Sequence, residues 1–193
     1  MGFIGNLWGT SLSQREMGTR DFIWLAVLGT AARGPAGIED FCHAIDVITI
    51  GQWLPVGELV CASVDEMLRG GHLELMGAGD NRLVPTERGR ETLALLLGQP
   101  IARPTSVLGQ VGLRLKLAFL DLLEGLERRA VLDGLIGQYD QELSRRQQGE
   151  EFCPVRGSFG ELWRGHDLER VRRDVALLRS MAGMAAENPA FRH

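Results

Sequence analysis

Between Asp21 and Leu97 the spacing of the apolar residues changes in a fixed order, and that order limits the folds open to the chain. Phe22, Leu25, Ala26 and Leu28 recur at helical spacing. Thr19 or Asp21 can cap this first helix, and Gly34-Pro35 ends it after about Ala32, because proline cannot continue a helix and glycine tolerates the turn. A second helix is expected from about Ile38 to Ile48, with Ile38, Phe41, Cys42, Ile45 and Ile48 on one face. Val56, Leu59, Val60, Val64, Met67 and Leu68 make one stripe of a third amphipathic helix, which Gly70-Gly71 stops. The period then falls to two: His72 to Met76 alternates, Gly77 to Asp80 turns and Asn81 to Val84 returns, a hairpin. Pro85-Thr86 closes the strand and caps a helix from Glu87 to about Gly98.

Each segment alone reads as ordinary core. Three helices, a hairpin and a further helix in this order read as a winged helix-turn-helix, so the expected fold class is mainly α with a small β-hairpin. In such a fold the third helix enters the major groove of DNA. Here its outward positions include Glu58, Asp65 and Glu66, offset by Arg69. Phosphate attracts Lys and Arg and repels carboxylates. Residues 1–100 hold 7 basic and 12 acidic side chains, a net of 7 − 12 = −5, and residues 101–193 hold 14 and 13, a net of +1. The order of elements points to DNA, and the charge of the key surface points away from it.

Gln99 to Thr105, with two prolines, reads as a linker. Beyond it three helices are expected. Leu113, Leu117, Leu120 and Leu123 line the first, which Leu115, Phe119 and Leu122 make apolar on more than one face. The second, about Leu126 to Gln148, carries Val131, Leu132, Leu135, Ile136, Tyr139 and Leu143. The third, about Asp167 to Ala186, carries Leu168, Val171, Val175, Leu178 and Met181. Between them, Gly149 to Gly165 reads as irregular, with Phe152, Phe159 and Trp163 packing down. The expected organisation is an N-terminal arm over 1–18, a winged domain over 19–99, an α-helical dimerisation domain over 106–186 and a tail over 187–193.

Cys42, Cys61 and Cys153 form no CxxC pair and no zinc spacing, so the expectation is a reduced, cytoplasmic protein without metal or cofactor. Cys153 beside Arg156 reads as a plain reduced thiol or a reactive one. Twenty Arg against the single Lys116 reads as the imprint of a GC-rich bacterial genome. No apolar run has the roughly 18–20 residues that a membrane helix needs. H-E-x-x-H, Gly-x-Ser-x-Gly and phosphate-cradling glycine loops are absent, and the expectation is not an enzyme.

Three local patterns resemble the PadR family of bacterial transcriptional regulators. Pro85-Thr86-Glu87-Arg88-Gly89-Arg90 is similar to the family's Thr-x-x-Gly-Arg after the wing. Leu113-Arg-Leu-Lys-Leu-Ala-Phe119 is similar to the Leu-Lys-Leu that opens its C-terminal helices, and Tyr139-Asp-Gln-Glu-Leu143 before a last amphipathic helix fits the longer members. The resemblance spans about Phe22 to Met184. It implies a homodimer held by the C-terminal helices and the N-terminal region, and small-molecule control in some members. The chain departs from the family at the reading helix: Cys61 stands where an aromatic is usual, Asp65 and Glu66 where a basic pair often follows, and the wing offers Arg82 and little else.

The candidate DNA contacts are Ser63, on the outer face of the third helix, with Arg69, Arg82 and Arg88; Arg33 and Arg90 are further cations in reach, and the plain reading of each Arg is a solvated surface residue. Trp24 and Trp53 are candidates to stack on a small apolar ligand, against the plainer reading of core or interface aromatics. Leu117, Leu120, Leu135, Tyr139, Val175 and Leu178 are the candidate dimerisation residues. Two functions from different classes follow. One is a dimeric regulator on duplex DNA, controlled by a small ligand. The other is a winged-helix adaptor that has left DNA and binds a protein partner through its acidic face.

Overall fold

Two of the helices begin with the same device. In the computed structural model, which describes residues 15–77, 81–149 and 157–187, Gly18 precedes α1 (Thr19–Arg33) and Gly37 precedes α2 (Ile38–Thr49). Each glycine donates its N–H to an aspartate three residues on, Asp21 and Asp40, both at 2.8 Å. A carboxylate in the first turn also complements the positive end of the helix dipole. Helix α3 (Gly57–Arg69) follows, then strands β1 (Leu73–Leu75) and β2 (Leu83–Pro85) and helix α4 (Glu87–Gly98). The strands pair antiparallel, Leu73 with Pro85 and Leu75 with Leu83. Ala36 bridges Leu83 with two backbone hydrogen bonds of 3.2 and 2.9 Å, tying the α1–α2 connection to the wing. Thr86 caps α4 by accepting from the Gly89 N–H at 3.1 Å. Phe22, Leu25, Leu28, Phe41, Ile45, Val60, Met67 and Leu97 fill the core between these elements. The fold is mainly helical with one small hairpin in the winged helix-turn-helix order.

The chain divides into two compact units, Met1–Leu123 and Glu124–His193. That division differs from the expected one. The stretch from Gln99 to Thr105 is not a free linker, because Gln99, Ile101 and Thr105 are buried and the Met17 N–H donates to the Pro100 carbonyl at 2.9 Å. The next helix, α5 (Val107–Phe119), belongs to the winged body. Two glycines seat it. A Cβ on Gly29 of α1 would lie 2.5 Å from the Phe119 ring, and one on Gly112 of α5 would lie 2.7 Å from the Phe22 ring. Each helix thus presents a glycine where the other places a phenylalanine. Lys116, the chain's one lysine, is buried beside them, and its Nζ donates to the carbonyls of Leu96, Leu97 and Gln99 at the end of α4. A short 3-10 turn, Leu120–Leu122, ends the unit.

The second unit is a pair of packed helices, α6 (Gly125–Gly149) and α7 (Ser158–Glu187). Leu132, Leu135 and Tyr139 on one, and Leu168, Val171, Val175, Leu178 and Ala182 on the other, are buried. Their spacing of three and four residues is that of two helices sharing a seam. Asp140 and Arg179 form an ion pair at 2.8 Å across it. The expected irregular stretch up to Gly165 is shorter than its glycines suggested, since α7 already starts at Ser158, and Phe159 and Trp163 stand exposed rather than packed down. The expectations for residues 1–14 of the arm, the tip of the wing, Phe152, Cys153 and the tail after Glu187 lie outside the described residues. Among the described residues no helix is long and apolar enough to cross a membrane.

Candidate nucleic-acid interface

Helix α3 buries Val60, Ser63, Val64 and Met67 and leaves Glu58, Leu59, Cys61, Ala62, Asp65 and Arg69 exposed. The expectation for Ser63 is corrected: it faces the body, where it is buried between Val60 and Met67, and cannot reach a base edge. Apolarity misplaced it, because a small hydroxyl fits a helix interface as readily as Ala. Leu59 is the reverse case, an apolar residue at the edge of the stripe that remains half-exposed.

The acidic character of the face is weaker than its sequence suggests. Glu66 forms an ion pair with Arg20 of α1, whose guanidinium also lies over the Trp24 ring at 5.3 Å. Glu58 and Asp65 have no side-chain partner among the described residues. Arg69, one turn after Asp65, donates from Nε to the Asp65 carbonyl at 3.2 Å and is exposed.

The other candidate cations fall at the edges of the wing. Arg82 is exposed just before β2 and donates to the Pro35 carbonyl at 3.2 Å. Arg88 is exposed in the first turn of α4, and its field together with burial pulls the His72 imidazole below its ordinary pKa, burial being the larger cause. His72, directly after Gly70-Gly71, joins three elements: its ring meets Trp24 edge-on at 5.1 Å and its Nδ1 lies 3.1 Å from Thr92 Oγ1 of α4. Arg90 is exposed. Arg33 is committed elsewhere, to Asp121 at 2.7 Å and the Ala118 carbonyl at 2.6 Å. The arrangement is an outward helix face followed by a wing, with Arg69, Arg82, Arg88 and Arg90 among its exposed cations.

The two tryptophans are not brought together. Trp24 contacts His72, whereas Trp53 meets Phe22 edge-to-face at 6.0 Å. Phe22 and Trp24, two residues apart on α1, point about 200° apart around a helix. The Trp24 indole Nε1 is buried without an acceptor among the described residues.

Four of the candidate dimerisation residues are corrected by burial. Leu135, Tyr139, Val175 and Leu178 are already covered within one chain by the seam between α6 and α7, so a second copy cannot cover them without opening that pair. Leu120 is buried and Leu117 half-buried in the first unit. The sequence pattern identified a seam but could not say which helix closes it. Among the described residues, the large apolar side chains left exposed in the second unit are Leu126, Phe159, Leu162, Trp163, Leu177 and Met184.

Comparison with known proteins gives one family. The model described as "Putative AphA-like transcriptional regulator" matches residues 12–182. No curated protein matches the chain. Among solved structures, the crystal structure of Bacillus subtilis PadR is similar at 18% identity, covering 90% of this chain and 100% of that one, with a TM-score of 0.39. The same protein in complex with p-coumaric acid gives 18% identity over 89% of this chain and 99% of that one, TM-score 0.39. In complex with operator DNA it gives 21% identity over 84% and 98%, TM-score 0.36.

Proposed function

The chain belongs to the AphA-like family of transcriptional regulators, and from that premise we propose that it acts as a homodimer on duplex DNA through α3 and the wing. The observation that carries the reading is the outward face of α3 placed beside a wing, with Arg69, Arg82 and Arg88 exposed around it. These three side chains serve as phosphate contacts, which position a protein on the duplex without reading its sequence. Glu58 and Asp65 oppose binding, and the pairing of Glu66 with Arg20 offsets part of the repulsion expected from the adjacent carboxylates. Two such faces on a dimer meet half-sites about one helical turn apart.

The dimer surface in this reading is the exposed apolar side of α7, with Phe159, Leu162 and Trp163 at its start. Control by a small ligand finds its support at Trp24, whose unpaired indole N–H suits an acceptor atom of an apolar molecule. The adaptor reading keeps one specific observation in its favour, the unpartnered Glu58 and Asp65 on the reading face. A titration of nonspecific duplex with salt separates the two. Binding that weakens steeply with salt supports the regulator on DNA; no binding at about 50 mM salt supports the adaptor.

A further inference from the structure

The outward side of α3 offers a base edge a narrow choice of groups. Glu58, Ala62, Asp65 and Arg69 are all exposed. They step by four, three and four residues, so they fall within about 60° of one another and about 180° from the buried Val60, Val64 and Met67. This row is the part of α3 that faces away from the body. Cys61 lies to one side of it, and Leu59 and Glu66 lie to the other. Glu66 is drawn toward α1 by its ion pair with Arg20. Among the described residues no side chain pairs with the carboxylates of Glu58 and Asp65.

A carboxylate on this row suits one base better than the other three. In the major groove guanine shows two acceptors, thymine an acceptor and a methyl group, adenine an acceptor beside a donor, and cytosine a donor alone. An ionised carboxylate only accepts. It therefore finds a partner in the cytosine N4 amino group and meets repelling lone pairs at guanine O6 and N7 and at thymine O4. Adenine N6 also donates, but N7 beside it repels the second carboxylate oxygen. The row holds no Asn or Gln, the side chains that pair with both of those adenine atoms, and its one guanidinium, Arg69, stands at the end of α3. Phosphate repels a carboxylate on every sequence alike. A carboxylate on the reading row thus weakens binding everywhere and recovers part of the loss only where an amino group meets it. That difference is discrimination between sequences. Arg69, Arg82, Arg88 and Arg90 supply the attraction to phosphate that does not depend on sequence.

Given the DNA-reading function, on which this inference rests, we propose that Glu58 and Asp65 read bases and select cytosine through its N4 amino group. The two lie seven residues apart, about 10 Å along the helix, which spans up to about three base pairs. Each half-site should therefore hold two required cytosines, on either strand, no more than about three base pairs apart.

The experiment enriches bound duplexes from a pool of random sequence about two helical turns long, using the full chain and its variant Glu58→Gln with Asp65→Asn. Both substitutions keep the size of the side chain, remove its charge and add an N–H donor, which suits adenine N6 and N7. Both side chains are exposed, so the variant should keep the parent's circular dichroism melt. The parent is expected to enrich the two cytosines, and the variant adenine at the same positions. The variant should also bind unselected duplex more tightly, since two repelling charges are gone. Exchange of the enriched cytosines for N4-methylcytosine, which occupies the amino group in the groove, should weaken the parent at least about five-fold in fluorescence anisotropy. Equal affinity of the parent for the methylated duplex overturns the proposal. Enrichment of one sequence by both proteins also overturns it, because the carboxylates then only repel. Binding of the pool by the parent without enrichment overturns it as well. Failure of parent and variant to bind any duplex at about 50 mM salt contradicts the DNA-reading function itself, and the selection of cytosine falls with it.

Discussion

At the scale of the residue, Lys116 is the group whose chemistry the fold changes most. Burial pushes its ammonium from 10.5 down to about 7, and three carbonyls at the end of α4 take its hydrogen bonds. The unfolded chain keeps the ordinary lysine value. Between about pH 7 and 10.5 the unfolded state therefore binds a proton that the folded state has released, so stability rises with pH across that window and is level below it. The limiting slope is roughly 1.4 kcal/mol per pH unit; what the carbonyls return to the charged form narrows the pH window rather than the slope. Urea denaturation between pH 6 and 10 should show this rise in the parent and lose it in Lys116→Met; a level parent would mean that the carbonyls hold the ammonium charged. A second prediction concerns α3. Val64→Asp buries a carboxylate without a partner and should unfold the winged unit, while Leu59→Asp, half-exposed, should melt close to the parent. The sequence stripe treated both as core. Its spacing found the buried side of α3 but could not separate the centre of the stripe from its edge, where Leu59 lies, or recognise that Ser63 belongs to it.

At the scale of the element, the start of α4 and the hairpin were legible because their signals are local, Thr86 before Glu87 and a change of period from 3.6 to 2, whereas the cap expected at Thr19 or Asp21 is Gly18 and the helix expected from about Asp167 starts at Ser158. The placement of α5 was not, because a glycine that seats a ring looks like any other until the ring opposite it is known. Gly29 against Phe119 and Gly112 against Phe22 are that kind of contact. Both rings are buried. Gly112→Leu should cost about 2–3 kcal/mol and Gly29→Ala about 1–3 kcal/mol by overpacking, read as a lower denaturation midpoint at unchanged m-value. Loss of stability confined to one of the two would mean that α5 is held at one end only. The prolines of the stretch from Gln99 to Thr105 were equally ambiguous, since proline marks a bend whether the chain beyond it leaves the body or returns to it.

For the whole molecule, the chain divides into a winged unit and a helix pair, to which the proposed function assigns DNA contact and dimerisation respectively. The pair closes its own seam, so an interface between copies has to use what the seam leaves exposed. If the proposed dimer forms through this surface, Phe159→Ser with Trp163→Ser should sediment as a monomer without loss of helix content, because both side chains are exposed in one chain. A stable dimer in that variant would move the interface to another surface. The winged unit carries the charge conflict already visible in the sequence, now narrowed to Glu58 and Asp65 on the reading face and Arg69, Arg82 and Arg88 around it. The most direct test of the DNA-reading account is fluorescence anisotropy of a nonspecific duplex about two helical turns long, titrated with salt from about 50 mM upward. It is run on the parent, Arg69→Ala and Asp65→Lys. The account predicts salt-sensitive binding, a slope shallower by about one for Arg69→Ala, and tighter, steeper binding for Asp65→Lys. Absence of binding in every protein, or one unchanged slope in folded Arg69→Ala and Asp65→Lys, would contradict it, because α3 would then not face DNA.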